Sequence, residues 1–147
     1  METLAVLSPW IAPALALVAA GIDVRTREIP DWIPITIAVW ALGSMIGGFP
    51  PYPLDWVSVL LGGVIGLAVG WAAFALLGFG GGDAKLVAAI GLTVGPAGLL
   101  QVLCGSAILG GAIAIGVAAF GGRAFAYGPA IALSLLGLTV LWVIQPF

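Results

Sequence analysis

Seven of the ten charged side chains stand in two short segments, residues 23–31 (Asp23, Arg25, Arg27, Glu28, Asp31) and residues 80–85 (Asp83, Lys85). Asp23 directly follows one long apolar run and Asp83 comes just before another. In an antiparallel helical bundle the two carboxyls therefore reach a similar depth and can face each other. Two carboxyls sharing one water cannot both be ionised cheaply: one keeps a proton and polarises a peptide carbonyl, while the other takes a proton from the water. That is the chemistry of an aspartic peptidase. The chain has no histidine, which removes His-ligated zinc, Ser/His and Cys/His hydrolysis and ordinary imidazole acid–base work. Lys85 has no serine near it in sequence that would make a Ser/Lys dyad.

Each of these residues also has a purely structural reading. Asp83 suits a helix N-cap, and so do Asp31 and Asp55, each of which precedes a tryptophan and a new apolar run. Asp23 is less comfortable, because a carboxylate at the end of a helix opposes the dipole unless an i,i+4 pairing with Arg27 offsets it. Arg25, Arg27 and Lys85 read as boundary cations whose stems lie along apolar surface, or as groups that hold the loops and tune the carboxyl pair. The glycines at 80–82 let a substrate backbone come close to Asp83. Cys104, the single cysteine, reads as a small buried apolar residue and leaves no internal disulfide to form.

What must position these groups is a membrane bundle. The 147 residues are 63% hydrophobic and 7% charged, against roughly 25% charged in a soluble domain. Six acidic and four basic side chains cannot cover a water-facing surface. A net charge of −2 with no basic stripe excludes nucleic acid as a partner. Apolar stretches near 4–22, 33–48, 56–78, 86–103, 104–120 and 129–146 approach the roughly 20 residues of a bilayer crossing. They predict an all-α integral membrane protein, one domain over 1–147, with about six transmembrane helices. The first run lacks the basic flank of a secretory signal and is expected to stay as a span. The charge-free stretch 86–120 would be about 52 Å long as one helix, far beyond the bilayer core, so a break is expected at Gly95-Pro96-Ala97-Gly98.

Six crossings put the loops 23–32, 79–85 and 121–128, which hold all four basic residues, on one face. The positive-inside rule makes that face cytoplasmic and leaves both termini outside. The spacings Gly43/Gly47 and Gly62/Gly66/Gly70 predict close helix approach inside the bundle. The six tryptophans read as interfacial anchors or packing.

Asp23 followed by Ile29-Pro30 and a polar residue at 31 resembles the first catalytic motif of the type IV prepilin peptidases. Gly80-Gly81-Gly82-Asp83-Ala84-Lys85-Leu86 matches their Gly-x-Gly-Asp-x-Lys-Leu motif in full, and Tyr127-Gly128-Pro129 is similar to their late Phe-Gly-Pro segment. The resemblance implies an inner-membrane aspartic endopeptidase, with Asp23 and Asp83 catalytic and Gly80, Gly82, Lys85, Arg27 and Pro30 as supporting motif residues. It implies no metal or organic cofactor. The partner it implies is a prepilin or pilin-like protein, held in the bilayer by an apolar N-terminal helix and cleaved on the cytoplasmic side. Asp31 stands where the family usually has Asn. The chain opens directly on its first span, so the likeness is to the minimal form without a cysteine-rich segment, and methyl transfer is not expected. A proton-coupled carrier using the same carboxylates and a non-catalytic membrane scaffold stand as alternatives from other classes.

Overall fold

The computed structural model describes residues 2–77, 80–120 and 127–144. Five helices run through them: α1 (Glu2–Thr26), α2 (Trp32–Gly47), α3 (Trp56–Leu77), α4 (Gly81–Ala119) and α5 (Gly128–Ile144). The fold is all-helical, as expected. Three helices, α1, α3 and α4, are long and apolar enough to cross a membrane, while α2 and α5 are shorter apolar helices. Pro34 sits in the first turn of α2, where a missing N–H costs nothing. The same helix ends at Gly48, whose φ of 77° lets its N–H return to Met45 O.

The six expected runs fall in five helices, and what needs correction is how the stretch 86–120 is divided. Two expected spans, 86–103 and 104–120, lie together in α4, and the limit at 103/104 does not exist. The break falls at Gly95, inside the segment expected to turn, with φ 69° and ψ −178°. Those angles are reserved for a residue without a side chain, and Pro96 next to it removes an N–H from the ladder.

This break reverses the chain. A Cβ at Gly82 would lie 2.7 Å from Ile29 O, in the loop just after Asp23, while Gly110 abuts the Tyr127 ring, one residue from the Gly128 N–H that bonds Asp23. A continuous helix from 82 to 110 would separate those neighbours by about 42 Å. Residues 81–94 and 96–119 therefore run back along each other, and both outer ends of α4 lie at the Asp23 end of the bundle.

Packing relies on small residues, because lipid removes the hydrophobic drive between helices. A Cβ on Gly66 would stand 2.7 Å from Val87 O, and one on Gly70 would stand 2.7 Å from Ala84 O; Gly62 meets the Gly91 backbone. The glycine row of α3 thus lies directly on the first half of α4. Ala12, Ala16, Ala19 and Ala20 of α1 are buried, as are Ala130, Ile131, Ala132 and Leu135 of α5, the helix α1 packs against most. The Gly43/Gly47 pair does not serve this purpose. Gly43 has open space at its missing Cβ, and Gly47 faces the Phe49 ring of its own chain end rather than another helix.

The outer faces carry Leu60, Val64, Leu67, Trp71, Ile108, Ile115 and Leu141, all exposed. Buried Ser44, Thr93, Ser106 and Thr139 each donate to a carbonyl one turn back on their own helix. Apolar side chains outside, with these hydroxyls satisfied within their own helices, fit what lipid demands. Cys104 is exposed rather than buried, because the inward face of α4 there is formed by Val102 and Ser106. At the end away from Asp23, the connection between α2 and α3 is pinned in three places. Ser8 Oγ donates to Phe49 O at 2.9 Å, Tyr52 Oη shares a 2.7 Å hydrogen bond with Thr139 Oγ1, and the Tyr52 ring meets Trp142 edge-on at 5.3 Å. Burial pushes the Tyr52 phenol above its ordinary value, and the Thr139 bond partly offsets this.

Gly66→Val forces α3 off α4 and is expected to lower stability by about 1–3 kcal/mol. Gly43→Val, into open space, is expected to be close to neutral. Thermal melts of the two variants in one detergent check this, and equal melting temperatures would refute the close-packing account.

Candidate active site

Asp23 lies in the last turn of α1 and Asp83 in the first turn of α4. Both are buried, at 5% and 9% exposure, at the end of the bundle where α1, α4 and α5 meet. Sixty positions apart in the chain, they line one cavity of about 270 Å³. Its remaining walls are Arg27, Glu28 and Ile29 on one side and residues 80–82 on the other. At ~30 Å³ per liquid water, the space suits water together with a stretch of extended backbone. Arg27, Glu28, Gly80 and Gly81 are exposed, so the cavity opens at the bundle end.

Local bonding explains the wall that follows α1. Arg27 N–H donates to Asp23 O at 2.8 Å, and Arg27 takes φ 57°, the left-handed conformation that ends helices. Thr26 Oγ1 donates to Ile22 O and accepts from Glu28 N–H, so the chain turns sharply and leaves Arg27 and Glu28 beside the carboxyls. On the opposite wall, position 82 has no room for a side chain. A Cβ on Gly82 would lie 2.7 Å from Ile29 O and 2.8 Å from Ile29 Cβ, so the two walls touch at this point.

Three capping expectations resolve differently. The N-cap of α4 is Gly80, and Asp83 stands inside the first turn, favourable to the dipole but not a cap. One of its oxygens, Oδ1, is buried with no hydrogen-bond partner among the described residues. Asp31 occupies the N-cap position of α2 but makes no capping bond, since its carboxylate instead takes Lys85 Nζ at 2.7 Å on each oxygen. Asp55 does cap, accepting Ser58 N–H at 3.2 Å; the Ser58 hydroxyl, and after it this N–H, hold its carboxyl below the ordinary value.

Asp23 is not paired with Arg27 among the described ion pairs. Its Oδ2 accepts the Gly128 N–H at 2.9 Å, from the first residue of α5. The free amides at a helix N-terminus carry partial positive charge, which relieves the conflict between this carboxylate and the C-terminal end of α1.

Of the sequence-predicted supporting residues, Gly80, Gly82 and Arg27 line the cavity. Lys85 and Pro30 do not: Lys85 ties its wall to Asp31, and Pro30 offers its carbonyl to Ile33 N–H at the start of α2. Sequence reasoning missed Glu28 and Ile29 as wall residues and Gly128 as a partner of Asp23. The Gly-Pro opening of the last span was the available signal for Gly128. Arg123 falls outside the described residues. A larger groove of about 630 Å³ lies between the second half of α4 and α5, but it holds neither carboxyl, and its Ser134 hydroxyl is spent on Ala130 O.

A family model described as the type IV leader peptidase family matches residues 10–115. The prepilin leader peptidase/N-methyltransferase of Neisseria gonorrhoeae is 33% identical over 137 residues, covering 87% of this chain and 46% of that protein. The chain thus spans under half the length of that curated relative. No solved structure matches.

The Lys85–Asp31 bridge is exposed at both ends, so its contribution is small despite the two short contacts. A double-mutant cycle with Lys85→Met and Asp31→Ala is expected to give a coupling of about 0.2–1 kcal/mol in unfolding free energy, shrinking as salt is raised. A coupling indifferent to salt would contradict this.

Proposed function

The chain belongs to the type IV leader peptidase family, and from that premise we propose that it is an aspartic endopeptidase of the inner membrane, with Asp23 and Asp83 as its catalytic pair. The observation that carries the reading is the shared cavity: two buried carboxyls from different helices face one solvent-open space walled by glycine. The substrate is a prepilin or pilin-like protein whose apolar helix stays in the bilayer while its leader crosses the cavity mouth. Arg25, Arg27 and Lys85 cluster at the same end as the carboxyls, and by the positive-inside rule that end faces the cytoplasm and the N-terminus lies outside.

The two carboxyls are unequal. Asp23 has an N–H aimed at its charge; the Asp83 carboxyl has the Gly80 N–H beside it, but its Oδ1 is buried with no donor among the described residues, a costly place for an ionised group. Asp23 is therefore the base and Asp83 the acid. As water attacks the scissile carbonyl carbon, its proton passes to Asp23 and the Asp83 proton passes to the carbonyl oxygen. Collapse of the tetrahedral intermediate breaks the C–N bond. The proton on Asp23 goes to the departing amine, one hydroxyl proton returns to Asp83, and the pair is regenerated. Carboxyls at a bundle end, not at its middle, also count against a carrier.

Co-expression of the protein with a candidate prepilin, followed by gel separation of precursor and mature forms, tests the reading. Asp23→Asn and Asp83→Asn are each expected to slow leader removal by at least about 100-fold while membrane insertion continues. Processing at the wild-type rate by either variant would refute it.

A further inference from the structure

The last helix enters the site through backbone alone, and its first turn is arranged so that one donor remains. The Ala130 and Ile131 N–H groups both turn to Tyr127 O, at 3.0 and 3.4 Å. Pro129 has no N–H to offer. Gly128 N–H is left, and it donates to Asp23 Oδ2 at 2.9 Å in a buried setting, across 105 residues of chain. A Cβ at position 128 would stand 2.7 Å from that same oxygen and 3.2 Å from Asp23 Cβ. Any other residue would therefore push the carboxyl out of its place. No second bond to the Asp23 side chain accompanies this one among the described hydrogen bonds, so the carboxyl's direction into the cavity rests on it.

We propose that Gly128 is a positioning residue of the hydrolytic centre: its N–H and its missing side chain together aim the Asp23 carboxylate at the reacting water. This rests on the peptidase reading above and extends the centre from two helices to three. Such a donor is already in place before the reaction and needs no reorganisation during it. Its loss leaves substrate binding intact and misdirects the base.

The test compares purified enzyme variants on a prepilin substrate. Gly128→Ala is expected to lower kcat by roughly 100-fold, with KM held within about two-fold and the thermal melt preserved. Gly137→Ala, on the same helix with open space around it, is the control and should match wild type. Should Gly128→Ala fail to insert or fold, replacing the residue-128 amide by an ester through an α-hydroxy acid removes the donor without adding an atom of bulk, and the same loss of kcat is expected. Wild-type kcat in the ester variant, or a raised KM with unchanged kcat in either variant, overturns the inference. The two readings fail separately: full cleavage by Asp23→Asn overturns the catalytic role of Asp23 itself, whereas normal kcat without the Gly128 donor, with Asp23→Asn inactive, overturns only the role of Gly128.

Discussion

Direct backbone contact between α3 and the first half of α4 is the constraint on which the site depends. Gly62, Gly66 and Gly70 leave no side chain between the helices, so van der Waals contact acts at the closest range the chain allows, in surroundings where burial of apolar surface gives no advantage over lipid. A glycine row also fixes register, because sliding by one residue would put Leu61 or Leu67 where Gly62 or Gly66 now lies. Register along α4 sets the height of Asp83. The carboxyl's position therefore follows from contacts well below it in the bundle.

The other half of the site is placed by a different pair. Alanines on α1 face α5, and α5 in turn receives the second half of α4 through Gly105 against Ser134 and Gly110 against Tyr127. The reversal at Gly95 links the two assemblies, since without it Asp83 and the start of α5 could not belong to one end. At that end, among the described residues, the Gly82–Ile29 contact and the exposed Lys85–Asp31 bridge draw the walls together. The interior is tightly packed and the rim is lightly held, an arrangement compatible with admitting a peptide.

Much of this was legible in the residues. Long apolar runs bounded by charges mark the helices, because lipid permits little else, and the convergence of Asp23 and Asp83 follows from runs of similar length folded antiparallel. The break near Gly95 was legible from length together with the Gly95-Pro96-Ala97-Gly98 turn residues, but its effect on span limits was not, since residues 96–119 continue past 103 with no charge or further proline to stop them. Capping was the weakest inference. Asp31 had a competing cation 54 positions away, which no local pattern reveals, and Asp83 was displaced into the first turn because Gly80 opens the helix. Gly128 stood out only as part of Tyr127-Gly128-Pro129; that its amide would reach Asp23 was not legible, because a backbone N–H carries no signature of its partner.

The outward-facing Cys104 has a practical consequence. It is the single thiol of the chain, it projects from the second half of α4, and it takes no part in lining the cavity. A spin label or fluorophore coupled there reports from one known address without any prior removal of cysteines. Lipid-soluble quenchers can then read how deeply that helix is immersed while the acidic centre keeps its native composition.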